Sequence, residues 1–211
     1  MPKEKINVFI ETFIELKMSV IWKWDAEVPN LPKNVKISPW LPQQDILGHP
    51  NLKLFVTHGG LGSLVEAIYH KAVILGIPFS YDQRPNLLRA TGHGYAKMME
   101  WNSLTTEDLV MSIRDAIQNE TMRSSIERIH NVYMDRDQKP VEKATWWVEH
   151  VCRHKGADSL KSVAEQIPWY QYHHMDIVIF LAMIFFCIIG GILICCKICC
   201  KTCMTRKIKS E

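Results

Sequence analysis

Residues 52–83 read LKLFVTHGGLGSLVEAIYHKAVILGIPFSYDQ. A short apolar run, 52–56, ends in Thr57-His58-Gly59-Gly60 and passes into Leu61-Gly62-Ser63-Leu64-Val65-Glu66-Ala67-Ile68. A second apolar run, 72–77, closes before Pro78 and is followed by Asp82-Gln83. The pattern predicts strand, glycine turn, helix, strand, which is a parallel βαβ unit. The turn has the chemistry of a phosphate site. A helix N-terminus carries free backbone N–H groups and partial positive charge, and Gly59, Gly60 and Gly62 let an anion approach that backbone. Ser63 adds a hydroxyl and His58 a ring N–H. Glu66, one turn into the helix, is placed to accept from ribose hydroxyls. Asp82 and Gln83 end the next strand, at the edge where α/β sheets bind ligands. A plain strand–turn–helix with glycines for close packing would leave the same pattern.

Upstream, Pro39-Trp40-Leu41-Pro42-Gln43 reads as a rigid loop. A Trp held between prolines is either a flat platform for a base or a core residue, and Gln43 offers a paired donor and acceptor. Residues 18–24 and 35–38 read as strands, separated by a turn at Pro29-Asn30-Leu31-Pro32. Residues 1–17 carry Ile6, Phe9, Ile10, Phe13, Ile14 and Leu16 on one helical face. Downstream, 84–91 reads as a helix ended by Gly92 and Gly94, and 95–99 as a strand. Helices follow from Thr105-Thr106-Glu107-Asp108 to 118, over 121–133 and over 140–151, with charges that form solvated faces. Asn119-Glu120-Thr121 is a glycosylation sequon if lumenal.

The 211 residues suffice for one sizeable domain and an appendage. The net charge of +3 is concentrated in residues 197–211, so the body is near neutral and nucleic acid is not an expected partner. Of seven cysteines, only Cys152 lies in the globular part. Cys187, Cys195, Cys196, Cys199, Cys200 and Cys203 lie in or after an apolar segment, where they are either palmitoylation sites or inert residues at a membrane edge. Neither a disulfide framework nor a metal-ligand spacing is expected.

That apolar segment, 177–196, contains no charged residue and is long enough to span a bilayer. Trp169, Tyr170 and Tyr172 precede it as an aromatic belt, Asp176 lies ahead of it, and Lys197, Lys201, Arg206, Lys207 and Lys209 follow. The positive-inside rule puts the tail in the cytosol and the body in the lumen. The first residues do not have a signal-peptide pattern, although a lumenal body needs one. The expectation is a fragment, a short form or an incomplete gene model.

Trp40-x-Pro42-Gln43, Thr57-His58-Gly59-Gly60, Glu66, Pro78 and Asp82-Gln83 together resemble the signature of the UDP-glycosyltransferases, in particular the membrane-bound UDP-glucuronosyltransferases of animals. The resemblance runs over nearly the whole chain. It implies a partial, Rossmann-like C-terminal domain of a GT-B glycosyltransferase over residues 1–166, an interfacial aromatic linker over 167–176, a transmembrane helix over 177–196 and a basic tail over 197–211. It implies that Trp40 stacks on uracil and that Gln43 and Glu66 hold ribose. Thr57, His58, Gly59, Gly60, Gly62 and Ser63 would hold the diphosphate, and Asp82 and Gln83 the sugar hydroxyls. The donor would be UDP-glucuronate or UDP-glucose, a co-substrate with no further cofactor and no metal. The acceptor would be a small lipophilic molecule, and the product would form with inversion. Lys207-Ile208-Lys209-Ser210-Glu211 resembles the family's dilysine endoplasmic-reticulum retrieval signal.

The chain departs from the family pattern at Gly62, where many relatives have Asn. No counterpart is expected here for the N-terminal domain with its acceptor pocket and catalytic His, nor for the first strand and phosphate-facing loop of the C-terminal domain. No catalytic residue is therefore assigned, and His58 is read as a charge stabiliser. Two other readings compete. One is a non-catalytic membrane-anchored short form that pairs with itself or with full-length relatives. The other is a nicotinamide-dinucleotide enzyme, suggested by Gly60-x-Gly62 with Asp82 downstream. That fingerprint's third glycine is replaced by Val65, and Trp40 and Gln43 have no place in it.

Overall fold

The computed structural model describes residues 1–208, with side chains described through residue 198. Lys209, Ser210 and Glu211 of the dilysine-like ending lie outside the described residues, as do the side chains of Cys199, Cys200, Cys203, Lys201, Arg206 and Lys207. The chain forms two compact units, Met1–Asp137 and a second from Gln138 onward.

In the first unit the expected βαβ element is present. Strand β3 (Phe55–Thr57) leads through the glycine turn into helix α3 (Leu61–His70) and then into β4 (Ile74–Gly76), paired parallel with Phe55 beside Ile74 and Thr57 beside Gly76. The return from α3 is tight. The Ala72 N–H bonds the Ala67 carbonyl at 2.8 Å and the Lys71 N–H bonds the Ile68 carbonyl at 3.2 Å, the two bonds of a Schellman ending. Strand β5 (Ala96–Met98) extends this sheet beyond β4, again parallel. A second parallel sheet pairs β1 (Val20–Lys23) with β2 (Val35–Ser38). The strands are shorter than their apolar runs, because the flanking residues leave the ladder while remaining buried: Ala72, Val73 and Ile77 are core residues outside β4.

Period-2 alternation sends β4 side chains to two cores. Ile74 packs with Leu64 and Ala67 of α3, with Leu87 and Ala90 of α4 (Gln83–Gly92), and with Met122 and Ile126 of α6 (Glu120–Met134). Leu75 packs on the other side with Phe9 and Phe13 of α1 (Lys3–Leu16), with Leu109 and Ile113 of α5 (Thr106–Gln118), and with Val35 of β2. Capping residues start both α5 and α6. Thr105 accepts from the Asp108 N–H at 3.2 Å, and Asn119, the residue of the sequon, accepts from the Met122 N–H at 3.0 Å.

One difference from the sequence reading has a local cause. Gln43 is not loop but the first residue of α2 (Gln43–Leu47), with Pro42 as its N-cap and the Pro42 carbonyl accepting from the Ile46 N–H at 3.1 Å. Helix α4 ends at Gly92, and the chain turns at Gly94, with φ of 81°.

The second unit contains α7 (Pro140–Arg153), the one-turn helix α8 (Trp169–Tyr172) within the aromatic linker, and α9 (Met175–Ile208). Met175–Ile198 of α9 is long and apolar enough to cross a membrane, with none of it buried inside protein. It extends slightly beyond 177–196 at both ends.

Leu87, fully buried, fills space that only two glycines leave open. A Cβ at Gly59 or at Gly76 would collide with its branch. Gly76→Ala is expected to cost about 1–3 kcal/mol by overpacking, and Leu87→Ala about 2–5 kcal/mol by cavity formation. The double variant is expected to lose less than the sum, read as urea midpoints at constant m. Burial raises the Tyr95 phenol above its ordinary 10.0, with the Arg89 cation acting in the opposite direction. Its stabilising contribution is therefore complete below pH 10 and lost as pH rises through the raised pKa. Unfolding midpoints from pH 8 to 11 are expected to fall more steeply for the wild type than for Tyr95→Phe.

Candidate functional site

The residues singled out from sequence gather at the C-terminal ends of β2, β3 and β4. Trp40 follows β2 and is 71% exposed, so its indole is an open surface and not a core residue. Its loop is stiffened by Pro39 and Pro42, and the Ser38 hydroxyl donates to the Trp40 carbonyl at 2.6 Å.

Helix α2 packs against α3 and brings Gln43 to Glu66, 23 residues away in sequence. Gln43 Nε2 donates to Glu66 Oε2 at 2.7 Å and to Ser63 Oγ at 3.4 Å. Gln44 Nε2 reaches Glu66 Oε1 at 3.5 Å. Glu66 is thus held by two amides on the flank of α3, with the orientation of the carboxylate set before any ligand arrives.

The turn between β3 and α3 is shaped from within. Thr57 is buried, and its Oγ1 accepts from the Gly59 N–H at 3.3 Å, so its hydroxyl is engaged in forming the turn. Gly59 has φ of 88°, a left-handed conformation suited to glycine. His58 folds back over the turn, and a Cβ on Gly60 would sit 2.8 Å from His58 Nε2. Gly60 therefore has to be glycine for the ring to lie at the start of α3. No side chain caps that helix end, which leaves its first N–H groups and its dipole for an anion. The site of the Gly62 departure is open, with nothing within 4 Å of where a Cβ would stand.

Asp82 precedes α4 and is exposed. Gln83 is partly committed, because its Oε1 accepts from the Phe79 N–H at 2.8 Å and the Ser80 N–H at 3.1 Å. That leaves its NH2 as the donor for a ligand. Asn86 was missed in the sequence. Its Nδ2 donates to Asp82 Oδ2 at 2.8 Å and to the Gly59 carbonyl at 3.3 Å, tying the phosphate-type turn to the Asp82 loop. The i,i+4 spacing of Asp82 and Asn86 on a helix start was the available signal. Beyond this, Phe79 meets Trp101 edge-on at 4.5 Å, and Arg84 pairs with Glu100, around a small cleft. Among the described residues no group of His, Cys, Asp and Glu is arranged to hold a metal ion.

The site thus presents an open indole, a paired amide and carboxylate, an uncapped helix start beside an imidazole, and a carboxylate–amide pair at the next strand end.

Comparison with known proteins identifies the family. A family model described as "UDP-glucoronosyl and UDP-glucosyl transferase" matches residues 1–210. UDP-glycosyltransferase UGT5 of Dactylopius coccus is 39% identical over 184 residues, 87% of this chain and 35% of that protein. UDP-glucuronosyltransferase 2B14 of Oryctolagus cuniculus is 36% identical over 182 residues, 86% of this chain and 34% of that protein. The crystal structure of the calicheamicin glycosyltransferase CalG4 superposes with a TM-score of 0.59, covering 70% of this chain and 40% of that one at 17% identity, a likeness of fold. The chain spans about a third of the length of these two sequence relatives. It has the Rossmann-like α/β fold of part of a GT-B glycosyltransferase, and it belongs to the UDP-glycosyltransferase family.

Proposed function

We propose that this chain supplies the donor site and membrane anchor of a UDP-glycosyltransferase that moves a glucuronosyl or glucosyl group from UDP to a small lipophilic acceptor. The observation that carries the reading is the Gln43–Glu66 pair held beside an uncapped helix N-terminus and an exposed Trp40. Trp40 stacks on uracil, and Gln43 and Glu66 bind ribose. The backbone from Gly59 to Ser63, shaped by Thr57 and overlain by His58, binds the diphosphate. Asp82 and the NH2 of Gln83 bind sugar hydroxyls, with Asn86 positioning Asp82. The UDP-sugar is a co-substrate, and no cofactor enters.

In the reaction the acceptor oxygen attacks the anomeric carbon from the face opposite UDP. The bond to the diphosphate oxygen breaks, with its electron pair leaving on UDP. The acceptor proton passes to a base that these residues do not provide. What this chain contributes is stabilisation of the charge that grows on the leaving diphosphate, through N–H groups and an imidazole already in place. The isolated chain accordingly binds donor and turns over little or none.

Residues 1–166 form the donor domain, 167–176 the interfacial linker, 177–196 the span and 197–211 the tail. The aromatic residues ahead of the span and the basic residues after it support a single-pass protein of the endoplasmic reticulum, with the body lumenal and the tail cytosolic. Association with itself or with related transferases would run through that helix.

Calorimetric titration of UDP into the whole chain in detergent micelles is expected to show saturable binding. Trp40→Ala is expected to weaken it by about 1–3 kcal/mol, the value of a base–aromatic stack. Absence of UDP binding by the folded protein would overturn the reading. Comparison of UDP with 2′-deoxy-UDP tests the ribose assignment. The wild type is expected to prefer UDP by about 1.5–3 kcal/mol, as for a hydrogen bond to a charged group, and Glu66→Ala to abolish the preference. An undiminished preference in that variant would remove Glu66 from the ribose site.

A further inference from the structure

Six of the seven cysteines lie in α9, and the donor site uses none of them. Helix α9 runs unbroken from Met175 to Ile208, so its repeat fixes which positions share a face. With Cys195 as origin, positions 199 and 203 stand at about 40° and 80° around the axis, and positions 196 and 200 at about 100° and 140°. All five are cysteines, and they occupy one arc of the helix. Lys197 and Lys201 stand at about 200° and 240°, on the other side. The next cations, Arg206 and Lys207, return to the cysteine side only about one turn beyond position 203. Cys187, at about 280°, lies off the arc.

Depth separates the cysteines a second time. The uncharged run 177–196 rises by about 30 Å, the thickness of a bilayer's hydrocarbon core. Cys187 sits about 15 Å along it, at the middle, whereas Cys195 and Cys196 sit within about 3 Å of its far end. All three are exposed, and none of the span is buried inside protein, so packing does not shield any of them. What differs is the medium each one meets. A thiol at the middle of the core meets only lipid tails. A thiol at the edge meets lipid tails on one side and the aqueous phase on the other, with the lysine face turned away from it.

We propose that Cys195 and Cys196 are S-acylated by long-chain fatty acyl groups, and that the cysteine arc of α9 is a lipid-attachment face. The co-reactant is a long-chain acyl-coenzyme A. The cysteine thiolate attacks the thioester carbonyl carbon, the bond from that carbon to the coenzyme sulfur breaks, and coenzyme A leaves as a thiolate that takes up the proton given up by the cysteine. One thioester replaces another, with no oxidation or reduction. The span already anchors the chain, so the added chains act on posture: they draw the cysteine face toward the bilayer and leave the Lys197 and Lys201 face to water. The proposal rests on the reading of residues 197–211 as cytosolic, the side on which acyl-coenzyme A reaches the membrane. It does not depend on the donor site.

The test uses the whole chain expressed in cultured animal cells. Free thiols in the isolated membranes are capped with N-ethylmaleimide, thioesters are cleaved with neutral hydroxylamine, and the released thiols are counted as mass steps with PEG-maleimide. Hydroxylamine-dependent steps are expected, and Cys195→Ala with Cys196→Ala is expected to remove at least two of them. Cys187→Ala and Cys152→Ala are expected to remove none. Carbonate-resistant membrane retention checks that each variant still inserts, and acyl mass on the wild-type peptide containing positions 195 and 196 gives the same reading without a substitution. A wild type with no hydroxylamine-dependent step, or a double variant that keeps the full set, would overturn the proposal. Thiols released by reductant and not by hydroxylamine would overturn it in favour of a disulfide between copies. Trypsin added to sealed microsomes reads the side of the tail independently. Cleavage after Lys207 or Lys209 without any thioester sinks the proposal and leaves the orientation standing, whereas a protected tail sinks both.

Discussion

The packing of Leu87 between Gly59 and Gly76 is the contact on which the rest of the site depends. It seats α4 against the turn that follows β3 and against the end of β4, and it does so only because neither glycine has a Cβ. Once α4 is seated, Asn86, one residue before Leu87, reaches back to the Gly59 carbonyl and to Asp82. The glycine turn after β3 and the Asp82 loop therefore share one helix as a common support. A buried apolar side chain thus sets the spacing of two polar loops.

The polar groups of the site divide into those that shape it and those left for a ligand. Thr57 Oγ1 and Gln83 Oε1 accept backbone N–H groups and so stiffen the two loops from inside. Gln43, Gln44 and Glu66 restrain one another. The start of α3 remains uncapped. Preorganised donors around an unfilled anion position act through the field they have already set up, without reorganising as charge develops.

Most of the βαβ unit was legible from residue order. The change of period from 2 to 3.6 between residues 52 and 77, with glycines at the change, specifies a parallel crossover with no further information. Strand limits were less legible, because Ala72, Val73 and Ile77 are as buried as Ile74 and Leu75, and burial does not distinguish a ladder residue from a packed flank. Helix α2 was hidden by Pro39 and Pro42, whose loop signal outweighed a single helical turn. Whether Trp40 is core or surface could not be decided from a Trp between two prolines, since the same residues serve either; its 71% exposure is a property of where α2 and β2 place the loop.

The sequence by itself determined the parallel α/β class and the position of the apolar span, because each is written in local periodicity or an unbroken apolar run. Only the tertiary structure decided which polar atoms are engaged and which are left free, that Asn86 joins two loops, and that the strands fall into two sheets. Those facts depend on pairs such as Gln43–Glu66 and Asn86–Gly59, which lie 23 and 27 residues apart. Contacts at that separation are fixed by how helices seat on the sheet, which no local pattern encodes.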